Sequence, residues 1–320
     1  MATNKSKHLS EVLTSHKMGK VQEKMDKYIQ KKNEVKDALD TKYSDKLATS
    51  PIDSGSLAKY TAINKKFDID LCAPFMRGSF NTLKDMADEL FRYFDEEYQD
   101  DQLLKPVKKQ RVSIGLEFNI DGEVIGMDVI PGREINTDEY TQTFDLKLYV
   151  RPRDLSPESE TKTNIKKHID LISGKTSERE IIRLLKVWKH YNDKKIKSFK
   201  IELLTLRAFE ENAINISDDL WGRLEMTMTF IRDNIETIQL KDPANSNNIV
   251  SNTMTASEKN VIANDMKTML ENIESDSDFI KTYFKINPDF PPPNNDNKYG
   301  RKEDGASVLT TQNFGYDMGR

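Results

Sequence analysis

The sequence predicts an α+β protein built from two lobes, and three observations support this fold class. Strand and helix patterns alternate through the first half of the 320-residue chain. After about residue 155, apolar residues recur almost only at helical spacing. Ahead of both halves, over about 16–48, apolar side chains recur every three or four positions in a charged segment, which predicts one long helix. We therefore expect four segments: an N-terminal helix in 1–50 that braces the lobes, a core in 51–155, a helical lobe in 156–286, and an extended or disordered tail in 287–320.

Local patterns predict the individual elements. Residues 1–15 show no clear pattern, and Pro51 ends the long N-terminal helix. The first half is expected to contain a turn with a short helix at 55–64, a strand at 67–72 ended by Pro74, a helix at 81–97 capped by Asn81, a hairpin of 111–120 and 123–130 around Asp121-Gly122, and a strand at 144–150. Helices are expected in the second half at 161–191, 200–209, 221–238 and 258–284.

Composition excludes several classes of protein. The formal net charge of −4 and the pI of about 5.8 argue weakly against an RNA substrate and against a protein whose whole surface binds nucleic acid. A single cysteine, Cys72, excludes an intramolecular disulfide and a cysteine-based zinc site. No apolar run approaches 18 residues, and the first 20 residues lack the apolar region of a signal peptide. We therefore expect a cytoplasmic protein without a membrane span.

The stretch from Ser54 to Leu71 carries the strongest chemical signal. Gly55-Ser56 opens a segment with helical character, whose backbone N–H groups suit phosphate oxygens. Asp68 and Asp70 stand two positions apart in a predicted strand and so point to the same face. Two adjacent carboxylates repel each other, and a divalent cation such as Mg²⁺ or Mn²⁺ relieves that repulsion. The stretch predicts a nucleoside triphosphate site; the alternative is an exposed D-x-D with an incidental Gly-Ser.

Asp128 is a single acid inside an apolar strand, between Met127 and Val129. One interpretation is that it joins Asp68 and Asp70 from a neighbouring strand and completes a three-carboxylate metal site. The other is an acid on a solvated strand face. Three carboxylates of this kind would hold two metal ions for nucleotidyl transfer, in which a hydroxyl attacks an α-phosphate and pyrophosphate leaves.

These motifs carry a family resemblance. G-S at 55–56, D-I-D-L at 68–71 and M-D-V-I-P at 127–131 resemble the polymerase-β-type nucleotidyltransferase core. L-L-K-V-W-K at 184–189 and S-F-K-I-E-L-L at 198–204 resemble the helical lobe of cyclic-oligonucleotide synthases. D-P-A-N-S-N-N at 242–248 resembles a segment of the oligoadenylate synthases, with Ser246 in place of the usual Pro. Together, over about 54–250, they resemble the bacterial CD-NTases of CBASS anti-phage systems, relatives of animal cyclic GMP-AMP synthase.

The resemblance implies a fold, a reaction and a set of roles. The fold is a polymerase-β-type core and a helical lobe around a cleft, and the reaction joins ATP and other nucleoside triphosphates into a cyclic di- or trinucleotide. Asp68, Asp70 and Asp128 would be the catalytic metal ligands for two Mg²⁺ or Mn²⁺ ions. The implied nucleotide-binding residues are Gly55 and Ser56 at the phosphates, Lys186 and Ser198 at the triphosphate, and Phe199 stacked on the base.

Other interpretations of these residues and of the reaction stay open. Lys186 is otherwise a solvated helix lysine, Phe199 a core residue, and Asn245, Asn247 and Asn248 residues that only shape a turn. The protein would otherwise be a nucleotidyltransferase that modifies RNA or protein, a linear oligoadenylate synthase, or a non-catalytic nucleotide sensor. The resemblance also implies CBASS accessory proteins and an effector as partners, and attachment of the C-terminus, which ends in Gly319-Arg320, to other molecules.

Overall fold

The computed structural model describes residues 2–153, 156–211, 214 and 219–292. The predicted tail from 293 onward, with its terminal Gly319-Arg320, lies outside the described residues. The helices are α1 (Lys5–Ser15), α2 (Gln22–Lys42), α3 (Gly55–Ala58), α4 (Leu83–Arg92), α5 (Tyr140–Thr143), α6 (Ile165–Asp170), α7 (Thr176–Tyr191), α8 (Ser198–Glu211), α9 (Leu220–Asn234), α10 (Ala256–Ser275) and α11 (Ile280–Tyr283). The strands are β1 (Ile52–Ser54), β2 (Ile69–Phe75), β3 (Leu103–Lys109), β4 (Ile114–Ile120), β5 (Glu123–Glu134), β6 (Leu146–Val150), β7 (Ser159–Thr163), β8 (Lys241–Asp242) and β9 (Asn245–Ile249).

A mixed seven-stranded sheet forms the core lobe. Its main strands run in the order β1-β2-β5-β4-β3, and β6 and β7 continue from the far end of β5. Among the described strands of this sheet, β2 and β5 pair in parallel and the other pairs are antiparallel. One face of β2 packs Leu71, Ala73 and Phe75 against α2 and α4. The other face of β2 carries Asp70 and then Cys72, which is buried in a smaller apolar cluster with Tyr140, Leu146 and Ile165.

The second lobe is helical, as the sequence predicts, and has its own core. Helices α7, α8, α9 and α10 enclose Trp188, Leu204, Met228 and Met269, which are nearly inaccessible to solvent. The mixed sheet followed by a helical lobe confirms the predicted α+β fold class. None of the helices in the described part of the chain is long and apolar enough to cross a membrane.

The N-terminal segment differs from the prediction. Lys5–Ser15, for which the sequence shows no clear pattern, form α1, which begins after Asn4, whose side chain accepts a hydrogen bond from the Lys7 backbone N–H. Leu9 and Val12 of α1 are fully buried in the core of the helical lobe. The predicted helix over 16–48 is a short 3₁₀ turn, Met18–Val21, followed by α2, which packs on the core lobe through Val35 and Leu39. The N-terminal segment thus contacts both lobes, α1 one and α2 the other.

Several predicted boundaries are also wrong. Pro74 does not end β2, because β2 continues to Phe75 beside β5. Thr82, not Asn81, caps α4, in a capping box with Asp85. Residues 159–163, expected to be partly helical, form β7 of the core sheet. Strands β1, β3, β8 and β9 were not predicted at all, since short or highly charged strands lack a clear alternating pattern.

Candidate functional site

Three aspartates singled out by the sequence meet at one edge of the β2–β5 pair. Asp70 in β2 and Asp128 in β5 are direct neighbours in the parallel register. Asp68 lies just before β2, and a Cβ added at Gly126 of β5 would be 3.0 Å from its Oδ1 atom. The structure therefore places the three aspartates near one another, with Asp70 and Asp128 on neighbouring strands and Asp68 just ahead of β2.

Burial and mutual repulsion both disfavour the ionised forms of Asp70 and Asp128. The pKa of Asp70 is raised to about 6, first by burial and then by the negative charges of Asp128 and Asp68. The pKa of Asp128 is likewise raised to about 6, by burial and by Asp68. The side-chain amide of Gln110 donates a hydrogen bond of 2.6 Å to Asp128 Oδ1. This bond acts to lower the pKa of Asp128 but offsets only part of the effect of burial and Asp68. The acids thus lack a full counter-charge.

The donor chemistry of this set fits a divalent cation. Its ligands are carboxylate oxygens, which Mg²⁺ and Mn²⁺ prefer, and their crowding is the kind that a cation relieves. Among the described residues, however, no group of three or more His, Cys, Asp or Glu side chains is already arranged as a metal site. Asp68 is exposed, and Asp128 Oδ1 accepts a hydrogen bond from Gln110. Their role as metal ligands stays a prediction.

The Gly-Ser turn packs directly against Asp70. Gly55 begins α3 with a positive φ of 70°, and a Cβ at this position would lie 1.6 Å from Asp70 Oδ2. No other amino acid fits without moving the carboxylate. The backbone N–H of Ser56 donates a hydrogen bond to Asp70. The Gly55-Ser56 turn and Asp70 therefore pack together as one unit.

A cleft of about 470 Å³ lies between the two lobes beside this unit. The core lobe contributes Ser56, Asp68 and Asp70, and the helical lobe contributes Lys186, Ser198 and Phe199. Six of the eight predicted site residues thus line one cavity. Gly55 and Asp128 do not line it, although both adjoin Asp70. The cleft has the size and the cationic and aromatic lining of a small-ligand site.

Lys186 is not the solvated helix lysine of the alternative interpretation. It is only 6% exposed, and its ammonium group donates to Thr61 O at 3.1 Å, Thr61 Oγ1 at 2.8 Å and Glu202 Oε1 at 2.9 Å. These three bonds use all three donors of the ammonium group. In this structure Lys186 joins the segment after the Gly-Ser turn to α8. Its role at a triphosphate stays a prediction. To bind a phosphate oxygen, the ammonium group would have to give up one of these three hydrogen bonds.

Sequence reasoning missed Glu202, the carboxylate at the centre of this contact. Its other oxygen accepts from Lys59, which follows the Gly-Ser turn. Burial acts to raise the pKa of Glu202, but Lys186 and Lys59 outweigh it and hold the pKa below its usual value. Glu202 is therefore an ionised bridge between the lobes. No spacing rule could have revealed it, since its partners lie 143 and 16 positions away.

Phe199 stands half-buried in the wall of the cleft. The ammonium group of Lys59 lies 5.4 Å from the centre of its ring, and the ring of His168 contacts it edge-on at 5.2 Å. The neighbouring Ser198 hydroxyl accepts a hydrogen bond from Lys189 at 3.2 Å. Both side chains face the cavity, as the base-stacking and triphosphate roles require, and those roles remain predictions.

A larger cavity, of about 670 Å³, lies on the other side of α3. Leu57, Ala58 and the apolar side chains Met18, Met25 and Ile29 line it. It reaches Asp70 but not Asp68, Asp128 or Phe199. Because the larger cavity contains only Asp70 of the three predicted acids, and none of Lys186, Ser198 and Phe199, the smaller cleft is the better candidate for the site of chemistry.

Comparisons with known proteins agree on the fold. No protein-family model and no curated protein matches the sequence. Escherichia coli MS115-1 CdnC, solved with ATP, matches with a TM-score of 0.67, 20% identity, and coverage of 89% of this chain and 96% of that chain. The Bradyrhizobium diazoefficiens CD-NTase CdnG, in complex with GTP, matches with a TM-score of 0.66, 11% identity, and coverage of 88% and 96%. The chain has the fold of the bacterial CD-NTases.

A third match extends this similarity. The Elizabethkingia meningoseptica CdnE cyclic dinucleotide synthase, with GTP and Apcpp, matches with a TM-score of 0.53, 16% identity, and coverage of 74% of this chain and 90% of that chain. The CD-NTase fold confirms the predicted polymerase-β-type core with a helical lobe. Because it is found at identities of 11% to 20%, it is evidence for shared architecture.

Proposed function

We propose that this protein is a metal-dependent nucleotidyltransferase that joins ribonucleoside triphosphates into a cyclic di- or trinucleotide and releases pyrophosphate. The observation that carries the proposal is the cleft between the lobes. Ser56 and the paired acids stand on one wall, and Phe199 with a cluster of lysines stands on the other. These two walls suit a nucleotide whose triphosphate and base lie at opposite ends of one small cavity.

Each group in the cleft has a chemical task in this proposal. Divalent metal ions, held by Asp68, Asp70 and Asp128, would activate a hydroxyl and neutralise the leaving pyrophosphate. Ser56 and Ser198 would bind phosphate oxygens, and Phe199 would stack on the base. A 2′- or 3′-hydroxyl of one nucleotide attacks the α-phosphorus of another, and the bond to pyrophosphate breaks as the new phosphodiester forms. For a cyclic dinucleotide, the free hydroxyl of the linear product then attacks the α-phosphorus of the remaining triphosphate, which closes the ring and releases a second pyrophosphate. A cyclic trinucleotide needs one more addition before closure, and each attacking hydroxyl loses its proton to solvent.

The biological setting is part of the proposal. The CD-NTase fold and the motifs of the chain favour a role in CBASS anti-phage defence, with accessory proteins and a nucleotide-activated effector as partners and a cytoplasmic location. The fold is shared with proteins solved with ATP or GTP, which supports nucleoside triphosphates as substrates. The four segments 1–50, 51–155, 156–286 and 287–320 remain our proposed division of the chain.

Mass spectrometry of the reaction product tests the proposal. The full-length protein is incubated with all four ribonucleoside triphosphates and Mg²⁺ or Mn²⁺, and the mixture is treated with phosphatase. We expect a phosphatase-resistant cyclic product from the wild type and none from the Asp68→Ala/Asp70→Ala variant. The exposed Asp37→Ala variant on α2 is the matched control and should keep full activity.

Three results would overturn the proposal. Label recovered in RNA or protein would indicate a macromolecule-modifying enzyme, and a phosphatase-sensitive chain would indicate a linear oligoadenylate synthase. A product unchanged in the Asp68→Ala/Asp70→Ala variant would mean that the acids are not catalytic.

A further inference from the structure

The D-P-A-N-S-N-N segment has no task in the proposed reaction, yet its aspartate is among the best-bonded acids of the chain. Asp242 is 7% exposed and begins the turn between β8 and β9. Its Oδ1 accepts from His168 Nε2 at 2.7 Å and from the Ala244 backbone N–H at 2.9 Å. Its Oδ2 accepts from Asn248 Nδ2 at 3.2 Å. The carboxylate therefore acts only as an acceptor, which requires His168 Nε2 to carry its hydrogen.

His168 connects this acid to the cleft. Its ring centre lies 5.2 Å from that of Phe199 with an angle of 60° between the planes, an edge contact. His168 itself does not line the cavity, whereas Phe199 does. The imidazole thus stands behind the aromatic wall of the cleft, and Asp242 stands behind the imidazole. Rotation of His168 about its side-chain bonds would break its hydrogen bond to Asp242.

The contact sits where the two lobes join. His168 belongs to α6, which follows directly after β7 of the core sheet. Asn164 caps α6 and donates hydrogen bonds to Thr143 O and Asp145 Oδ1 in the core lobe. Phe199 belongs to α8 of the helical lobe. The contacts from Asp242 through His168 to Phe199 therefore fix the position of the aromatic ring relative to the core lobe. The same lobe carries Asp68, Asp70 and Asp128.

We propose that His168 and Asp242 are positioning residues that hold the Phe199 ring in the orientation in which it stacks on the nucleobase. Asp242 fixes the rotamer and the hydrogen position of His168, and His168 supports one edge of the Phe199 ring. This inference rests on the proposed function, because it takes Phe199 as the stacking residue. It gives the D-P-A-N-S-N-N segment a functional task in addition to shaping its turn.

The test compares the binding of a whole nucleotide with the binding of its triphosphate part alone. Isothermal titration calorimetry on the full-length protein measures binding of the four α,β-methylene ribonucleoside triphosphates, and separately of inorganic tripolyphosphate, all with Mg²⁺. His168→Leu keeps the bulk of the side chain but removes the bond to Asp242. We expect its Kd for the best-bound nucleotide analogue to rise about tenfold, within the range set by loss of a base-stacking contact. Its Kd for tripolyphosphate should stay within about twofold, because tripolyphosphate has no base.

Four further variants separate positioning from a general loss of structure. Phe199→Leu should weaken nucleotide binding at least as much as His168→Leu, and the double variant should be no weaker than Phe199→Leu alone, because both changes act on one contact. Asp242→Asn should shift binding in the same direction as His168→Leu, and serves in its place if that variant does not fold. Asn245→Ala removes bonds to Thr161 and Lys162 and the bond that Asn245 Oδ1 accepts from the Asn247 backbone, but none to Asp242 or His168, so it is the matched control and should bind like the wild type.

The outcomes distinguish the inference from the proposed function. A wild-type protein that binds none of the four analogues would overturn the proposed function and the inference with it. A wild type that binds an analogue, with His168→Leu and Asp242→Asn unchanged, would overturn the inference alone. Equal weakening of analogue and tripolyphosphate, or additive effects in the double variant, would show a general structural role and would also overturn the inference.

Discussion

Asp70 occupies the most crowded position in the candidate site. Its carboxylate borders Gly55, accepts a hydrogen bond from the Ser56 backbone and faces the carboxylate of Asp128 across the β2–β5 pair. Burial, and then like charges at short range, disfavour the ionised form, so this arrangement costs stability at neutral pH in the absence of a cation. A divalent cation bound between these carboxylates would relieve their repulsion, so we expect the empty site to favour cation binding.

The substitution Asp70→Asn should therefore stabilise the metal-free protein. The folded pKa of about 6 lies above the ordinary value of 3.8, so the folded state binds a proton more readily than the unfolded state. The resulting penalty is absent below pH 4, grows as the pH rises through 4 to 6, and is complete above pH 6. It amounts to at most about 3 kcal/mol. We expect Asp70→Asn to have a higher Tm than the wild type at pH 8 and an equal Tm near pH 4.

Thermal unfolding in a chelator, followed by circular dichroism, measures this difference. Asp37→Asn, an exposed acid on α2, is the control and should show the same small offset from the wild type at both pH values. Added Mg²⁺ should raise the Tm of the wild type but not that of Asp70→Asn. A lower Tm for Asp70→Asn at pH 8 would contradict the repulsion between the acids.

At the residue level, the sequence indicated three aspartates that the structure places near one another, although Asp68 lies just ahead of β2 and not in the strand. The D-x-D pattern alone is common, and it was the acid inside the apolar strand, Asp128, that pointed to a shared site. Glu202 lies in an ordinary helical pattern, I-E-L-L, and nothing local shows that two lysines surround it. Its importance comes from contacts between distant segments, which a single sequence does not specify.

At the scale of elements, strong periodicity was predictive and short elements were not. Helices α4, α7, α8, α9 and α10 and the β4–β5 hairpin fall close to their expected places. The helix α1 was missed because its only buried apolar side chains are Leu9, Val12 and Leu13, a pattern too short to stand out in a polar segment. The stability of α1 comes from packing on the helical lobe, which helix propensity alone does not predict.

The short helix α3 is the element on which the geometry of the acids depends. Gly55→Ala would place a Cβ 1.6 Å from Asp70 Oδ2 and would strain a backbone at φ 70°. Either the turn or the carboxylate must move, and a displacement of this size at a reacting centre costs about 100-fold in rate. We expect the initial rate of product formation to fall by that factor, while far-ultraviolet circular dichroism shows a folded protein.

Gly19→Ala provides the comparison for this variant. Nothing lies within 4 Å of a Cβ added at Gly19, so its rate should equal that of the wild type. A Gly55→Ala enzyme with the wild-type rate would show that the turn does not position the acid.

The whole molecule is organised around the contact between a sheet and a helical lobe. The acids come from the sheet, while Ser198 and Phe199 come from α8, and neither set forms a complete site alone. Glu202 with Lys59 and Lys186 joins the lobes on one side of the cleft, and α1 and α2 join them at the N-terminus. Sequence motifs predicted both walls, but the closeness of the walls follows only from these long-range contacts.

The most direct test of the two-walled site is a crystal structure with Mn²⁺ and an α,β-methylene nucleoside triphosphate, using the anomalous signal of manganese. We expect manganese peaks among Asp68, Asp70 and Asp128, the triphosphate at Ser56, and the base against Phe199. Manganese or nucleotide bound elsewhere, for instance in the larger cavity on the other side of α3, would contradict this assignment of the site.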